Sequence, residues 1–467
     1  MKLQKLDDIA GLRVTVMGLG LNGGGVASAK FLAAHGAKVT VTDTKSAADL
    51  AVSVDALAGF DIRFVLGRHD EADFSDADMV LKNPAVRPDN PFLALAHSVE
   101  SDMSLFLRFC PARIAAVTGS KGKSTTASAL AWMLGSSGIK AYLGGNITVS
   151  PLGFLEVLGD NDVVVLELSS WQLGDLKGRG LLKPHTGVIT RIVPDHLDRY
   201  GTMEAYVADK RLLYADQDSS CWTVCDLDDP YGRSFAQETK ARVLAYTNSL
   251  PAGSYGIEIP VAGQPSSGAA CVARLPGIDA VELVPPDLSI PGAHARRNIA
   301  SAALAAWSLG APPHAIRKAA GTFAGIEHRL EHVRDRRGVR WFNDSAATVP
   351  EAVCAAVEAF EGPLVLITGG TDKKLEFETA RNAYLRCTAL VLLAGSGTEK
   401  IRAILEKDSL PYHGPYSSIT EAVDKAATIA GPGSTVVLSP GCTSFGMFKN
   451  EFDRGRSYKA AVAALPG

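Results

Sequence analysis

Ile114-Ala115-Ala116-Val117-Thr118-Gly119-Ser120-Lys121-Gly122-Lys123-Ser124-Thr125-Thr126 is a short apolar strand, a glycine-rich turn and the start of a helix. Parallel α/β sheets offer phosphate sites in this way. The turn lets backbone N–H groups face a ligand, the helix start adds partial positive charge, Lys123 neutralises terminal phosphates, and Ser124 or Thr125 offers a hydroxyl to Mg²⁺. Val117 stands where the first glycine of G-x-x-x-x-G-K-[ST] would be, so the spacing departs from the usual P-loop. A plain lysine-bearing strand-to-helix turn is the bland alternative.

On either side of this stretch similar apolar runs recur: Val14 to Met17, Val39 to Thr42, Val163 to Leu166, Leu364 to Ile367, Ala389 to Leu393 and Thr435 to Leu438. Gly, Ser, Thr or Asp follows each, and Ala-rich helical segments separate them, the rhythm of βαβ units. The expected fold is α/β in three domains. A Rossmann-like N-terminal domain takes 1–110, a central P-loop ATPase-type parallel-sheet domain 111–325, and a C-terminal Rossmann-like α/β domain 326–467. Leu250 to Pro291, rich in Pro, Gly and Ser, reads as an irregular β-rich insertion, and Ala311-Pro312-Pro313 as a candidate hinge.

The 467 residues are 46% hydrophobic and 21% charged, ordinary for a soluble globular protein, and at roughly 150 residues per domain they suffice for three domains. A formal net charge of −3 and a pI near 6.4 give no broad attraction for a polyanion, so no nucleic acid partner is expected and phosphate recognition must be local. No apolar run reaches the roughly 18 residues of a membrane span, and the opening residues lack the apolar stretch of a signal peptide. A cytoplasmic protein is expected. Seven scattered cysteines suggest neither a disulfide framework nor a zinc site, and the one close pair, Cys221 and Cys225, reads as reduced thiols.

Gly18-Leu19-Gly20-Leu21-Asn22-Gly23 follows a strand, and Asp43 stands about 20 residues on, which completes a dinucleotide fingerprint. It fits a nicotinamide cofactor, a nucleotide-sugar diphosphate or simple tight turns; the separate triphosphate-type turn favours the second. Glu167 ends a buried strand, where a carboxylate holds Mg²⁺ or complements a helix start. Asp195-His196-Leu197-Asp198-Arg199-Tyr200 follows another strand and suits a metal ligand or a base. Farther on, the loops Asn343 to Thr348, Gly369 to Lys374 and Ser439 to Ser444 carry small, hydroxyl and cationic residues that suit an amino-acid carboxylate or ordinary helix caps.

Thr118 to Thr126, Gly144-Gly145-Asn146-Ile147, Leu166 to Leu173, Asp195 to Tyr200, His328-Arg329, Asn343 to Thr348 and Ser439 to Asn450 together resemble the Mur ligases of peptidoglycan synthesis. The resemblance runs from Gly18 to Gly455. It implies an ADP-forming carboxylate–amine ligase using ATP and Mg²⁺, with UDP-N-acetylmuramoyl-L-alanine and glutamate as substrates and an acyl phosphate between them. A monomer is expected. By the same resemblance Gly18, Leu19, Gly20, Leu21, Asn22, Asp43 and Thr44 bind the uridine diphosphate part, and Asn146 and Ser169 the muramyl part. Gly119, Ser120, Lys121, Gly122, Lys123, Ser124 and Thr125 hold ATP, with Asn298 at the adenine and Arg329 and Asp344 as a nucleotide clamp.

Ser124, Glu167, His196 and a carbamylated Lys210 are the implied Mg²⁺ ligands, with Lys123, His196 and Lys210 in the catalytic set. Thr348, Lys373 and Ser444 receive glutamate. Read without the resemblance, Lys210 between Asp209 and Arg211 is an exposed helix lysine. Ala295, Ala346 and Glu451 depart from the family's Asn, Lys and Phe, which leaves the choice between D- and L-glutamate open. Other readings are a folylpolyglutamate synthase-like ligase, an NAD-dependent oxidoreductase and a non-catalytic nucleotide-sugar sensor.

Overall fold

A computed structural model describes residues 3–21, 23–147, 149–261, 269–373 and 375–466. The first sheet contains β1 (Arg13–Met17), β2 (Lys38–Asp43), β3 (Ile62–Leu66), β4 (Met79–Lys82) and β5 (Val99–Ser101), all parallel in the order β3-β2-β1-β4-β5. The order reverses at β1, and open α/β sheets bind ligands in the crevice at such a point.

The second sheet has nine strands: β6 (Arg113–Thr118), β7 (Ala141–Gly145), β8 (Val163–Glu167), β9 (Thr186–Ile189), β10 (Trp222–Asp226), β11 (Arg242–Thr247), β12 (Gly256–Glu258), β13 (Cys271–Leu275) and β14 (Ile278–Val284). β6 lies between β8 and β9, and all five residues of β8 are buried, as expected of a strand covered on both faces. The stretch from Leu250 to Pro291 joins this sheet at its edge through β12 and the antiparallel β13 and β14.

The third sheet contains β15 (Glu331–Arg336), β16 (Val339–Asn343), β17 (Leu364–Thr368), β18 (Ala389–Leu393), β19 (His413–Tyr416) and β20 (Thr435–Leu438), ordered β15-β16-β20-β17-β18-β19. Only the β15–β16 pairing is antiparallel. Along β17 the side chains alternate between two apolar clusters: Leu364 and Leu366 in one, Val365 and Ile367 in the other. Period-two alternation with both faces apolar is why the strand reads as an unbroken hydrophobic run.

The chain folds into two compact units, Met1–Pro286 with Arg297–Ala320, and Asp287–Arg296 with Gly321–Gly467. The first two sheets share the first unit because one apolar cluster, including Val14, Leu32, Phe106, Leu155 and Leu166, is common to both. Ala311-Pro312-Pro313 lies inside this unit and is not where the chain passes between units. Pro313 opens the helix Pro313–Thr322, a position where proline's missing N–H costs nothing.

The glycine fingerprint also works differently from its spacing. Gly23 is left-handed, with φ +84°, and a Cβ there meets nothing within 4 Å. The close approach of helix Gly24–Ala34 to the loop after β1 falls at Gly25, where a Cβ would sit 2.3 Å from the Leu19 carbonyl oxygen. Gly25→Ala is therefore expected to cost about 1–3 kcal/mol of stability through overpacking, while Gly24→Ala, with nothing within 4 Å, is tolerated. Thermal denaturation of the two variants checks the contrast.

Candidate functional site

The phosphate turn is held by hydrogen bonds and close packing from neighbouring segments. The amides of Ser120 and Lys121 both donate to the Arg191 carbonyl, at 2.9 and 3.3 Å, so these two are satisfied within the protein. The amides of the first turn of helix Lys123–Ser136 have no acceptor inside the helix, an arrangement suited to an anion. Ser120 is buried, donating to the Val193 carbonyl at 2.8 Å and sharing a 2.9 Å bond with the Tyr206 hydroxyl. Gly119 has φ +148°, and a Cβ there would sit 1.9 Å from Thr190 Oγ1. At Gly122, with φ +94°, a Cβ would sit 2.4 Å from Asn298 Oδ1, which places Asn298 directly on the turn. Ser124 and Thr125 are partly buried on the first helical turn, and Lys121 is exposed, 3.6 Å from Asp195.

Two lysines converge on one carbonyl. Lys123 Nζ donates to Gly119 O and Ser120 O, each at 3.1 Å, and Lys210 Nζ donates to Gly119 O at 2.8 Å. Lys210 is 1% exposed and lies 4.5 Å from the centre of the Tyr206 ring, so it is not the surface lysine its sequence neighbours suggest. Burial, with the Lys123 cation nearby, drives its pKa well below the ordinary lysine value.

Glu167, 1% exposed, accepts from Asn146 Nδ2 at 3.3 Å through one oxygen, and its other oxygen is buried without a hydrogen-bond partner among the described residues. His196 takes the left-handed conformation, φ 53°, with its ring 5.0 Å from Trp171 and half exposed. The hydroxyl of Ser169 caps helix Ser170–Asp175, accepting from the Gln172 amide at 3.2 Å.

In the first sheet, both Asp43 oxygens accept backbone amides, from Gly20 at 3.0 Å and Lys45 at 2.9 Å. Asp43 thus shapes the glycine loop. Gly18 has φ +90° and packs on Asn83, Leu19 is buried, and Leu21 and Thr44 are exposed. Asn22 lies outside the described residues.

In the second unit, Asp344 accepts from the Leu330 amide at 3.2 Å and the Ser439 hydroxyl at 2.8 Å, and burial pushes its pKa up to about 7. Arg329 and Lys373 are exposed, Thr348 is partly buried and Ser444 is buried. Arg454, 1% exposed, ties two of the three loops together. It donates to the Ser345 hydroxyl (3.0 Å) and carbonyl (2.8 Å) and to the Cys442 carbonyl (3.1 Å), and burial lowers its pKa to about 10.

Arg454 and Tyr206 are the residues that sequence reasoning misses. Tyr206 stands four residues before Lys210, a spacing that puts both on one helix face and could have flagged it. Arg454 gives no comparable signal, since an arginine in a helix is ordinarily solvated.

A nine-stranded, mostly parallel sheet with a phosphate turn at β6 and a carboxylate at the end of neighbouring β8 defines a P-loop-type nucleotide-binding α/β protein. Family models match along the chain: the Mur ligase MurD-like N-terminal domain at 12–103, the Mur ligase middle domain at 117–306 and the Mur ligase glutamate ligase domain at 328–442. UDP-N-acetylmuramoylalanine–D-glutamate ligases from Roseiflexus sp. (strain RS-1) and Treponema pallidum (strain Nichols) are 43% and 39% identical to it. The matches cover 98% of this chain and 99% and 98% of theirs. The fold is similar to that of a UDP-N-acetylmuramate-alanine ligase from Thermotoga maritima, with a TM-score of 0.60 at 19% identity over 97% of this chain and all of the other. The chain belongs to the Mur ligase family.

Because the folded-state pKa of Asp344 is raised, its contribution to stability is full below the unfolded value of 3.8 and is lost as pH rises through about 7. Asp344→Asn removes that dependence. Its Tm relative to the parent protein should rise by a few degrees between pH 5 and pH 8 in paired melts; a constant difference would show that the carboxyl ionises normally.

Proposed function

We propose that the chain joins D-glutamate to UDP-N-acetylmuramoyl-L-alanine at the expense of ATP, a step in making peptidoglycan precursors. Its near full-length likeness to ligases of that name supports this. The observation that carries the chemistry is the convergence of Lys123 and Lys210 on Gly119, in the domain where one Glu167 oxygen has no hydrogen-bond partner among the described residues.

That oxygen and the Ser124 hydroxyl are the hard donors Mg²⁺ takes, so the residues fit the ion; Glu167, Ser124 and His196 would hold it, with Lys210 once carbamylated. When bound, Mg²⁺ supplies positive charge to the triphosphate oxygens. The uncharged Lys210 amine is the form that adds CO₂: an N–C bond forms as one C=O π bond opens, a proton leaves to solvent and the neutral amine becomes a carbamate anion.

In the first step an alanyl carboxylate oxygen attacks the γ-phosphorus, whose bond to the β–γ bridging oxygen breaks, and ADP leaves. Lys123 stabilises charge on the transferring group. The neutral amine of glutamate then attacks the acyl carbon, and the departing phosphate takes the proton. With His196 assigned to the metal, it is not the base. Thr348, Lys373 and Ser444 are assigned to glutamate, with Arg454 holding the Ser345 and Cys442 segments in place. The cytosol, where both nucleotides are found, and a monomer go with this reading.

Incubation with ATP, Mg²⁺, UDP-N-acetylmuramoyl-L-alanine and each glutamate enantiomer, read by mass spectrometry, should give the amide with the D form; product with L-glutamate alone would overturn the assignment. Lys123→Ala should lower turnover on the order of 10³-fold with the fold intact. Lys210→Ala should lower kcat about 10²-fold or more, and CO₂ removal should slow the parent protein but not this variant.

A further inference from the structure

Lys82 is the last residue of β4, and Asp175 the last of helix Ser170–Asp175. Both side chains are 5% exposed, and Lys82 Nζ donates to Asp175 Oδ2 at 2.7 Å. The same ammonium donates to the Val86 carbonyl at 3.2 Å. Val86 closes the turn opened by Asn83, whose amide donates to Met17 O at 2.9 Å and whose side chain lies against Gly18. One buried cation thus fastens the loop behind the glycine turn to the helix that starts at Ser169. Two further bonds run alongside: Arg179 to Glu100 at 3.0 Å and Ser150 to Asp102 at 3.4 Å.

Stability alone is a poor reason for such a pair, because replacing a buried ion pair with apolar residues is often neutral or favourable. Its geometric effect is specific. Gly18 and Ser169 stand, in the reading above, at the uridine diphosphate and muramyl ends of one substrate, so their separation must match its length. We propose that Lys82 and Asp175 are positioning residues that set the reach of the UDP-sugar site by locking the Asn83 loop to the helix capped by Ser169. This rests on the proposed reaction and adds two residues to it.

The test separates the substrates. In Lys82→Met/Asp175→Leu the loop loses its tie to Val86, and KM for UDP-N-acetylmuramoyl-L-alanine should rise about tenfold, with KM for ATP and Tm near the parent values. Asp175→Asn, nearly isosteric, keeps a weaker bond from Lys82 to a now uncharged acceptor and should raise the same KM about threefold. Unchanged KM for the UDP-sugar in both variants, or an equal rise for both nucleotides, would overturn the proposal. An absence of amide product from the parent protein would instead count against the reaction itself.

Discussion

The Gly119 carbonyl oxygen accepts two lysine side chains, the partly buried Lys123 at 3.1 Å and the buried Lys210 at 2.8 Å. Two ammonium groups on one acceptor repel strongly where the dielectric is low. The conflict is relieved by the more buried partner, Lys210, whose amine is driven toward the uncharged form. The local glycines follow from the same packing, since a Cβ at Gly119 would strike Thr190 and one at Gly122 would strike Asn298.

Elsewhere the loops are shaped by buried charged groups whose partners include the backbone. Asp43 gathers the amides of Gly20 and Lys45, Lys82 takes the carbonyl of Val86, and Arg454 takes the carbonyls of Ser345 and Cys442. A charge-assisted bond to the main chain fixes a loop more tightly than apolar contact, and a site that handles phosphates needs that rigidity. Asp344 shows the cost: a carboxyl held by Leu330 and Ser439 in full burial is ionised with difficulty near neutral pH.

Much of this was legible in the residues. The turn around Lys123, the strands from β1 to β20 that read as apolar runs, and Glu167 at a strand end all follow from local spacing. So did the family, because its motifs are linear. Less legible were the individual strands β12 to β15, short or rich in charge, and the close approach at Gly25, two residues past the glycine the fingerprint points to.

The sequence by itself determined the order of elements and the phosphate turn, because strand, glycine and helix signals act over a few neighbouring residues. Which charged side chains are buried, and what they hold, emerges when distant segments pack together. Lys210 reads as an exposed helix lysine and nothing local singles out Lys82 or Arg454; their roles come from partners 91, 93 and 109 residues away, including Gly119, Asp175 and Ser345. Burial of a charge is a property of the surroundings, and contacts at that separation leave no local periodicity to read.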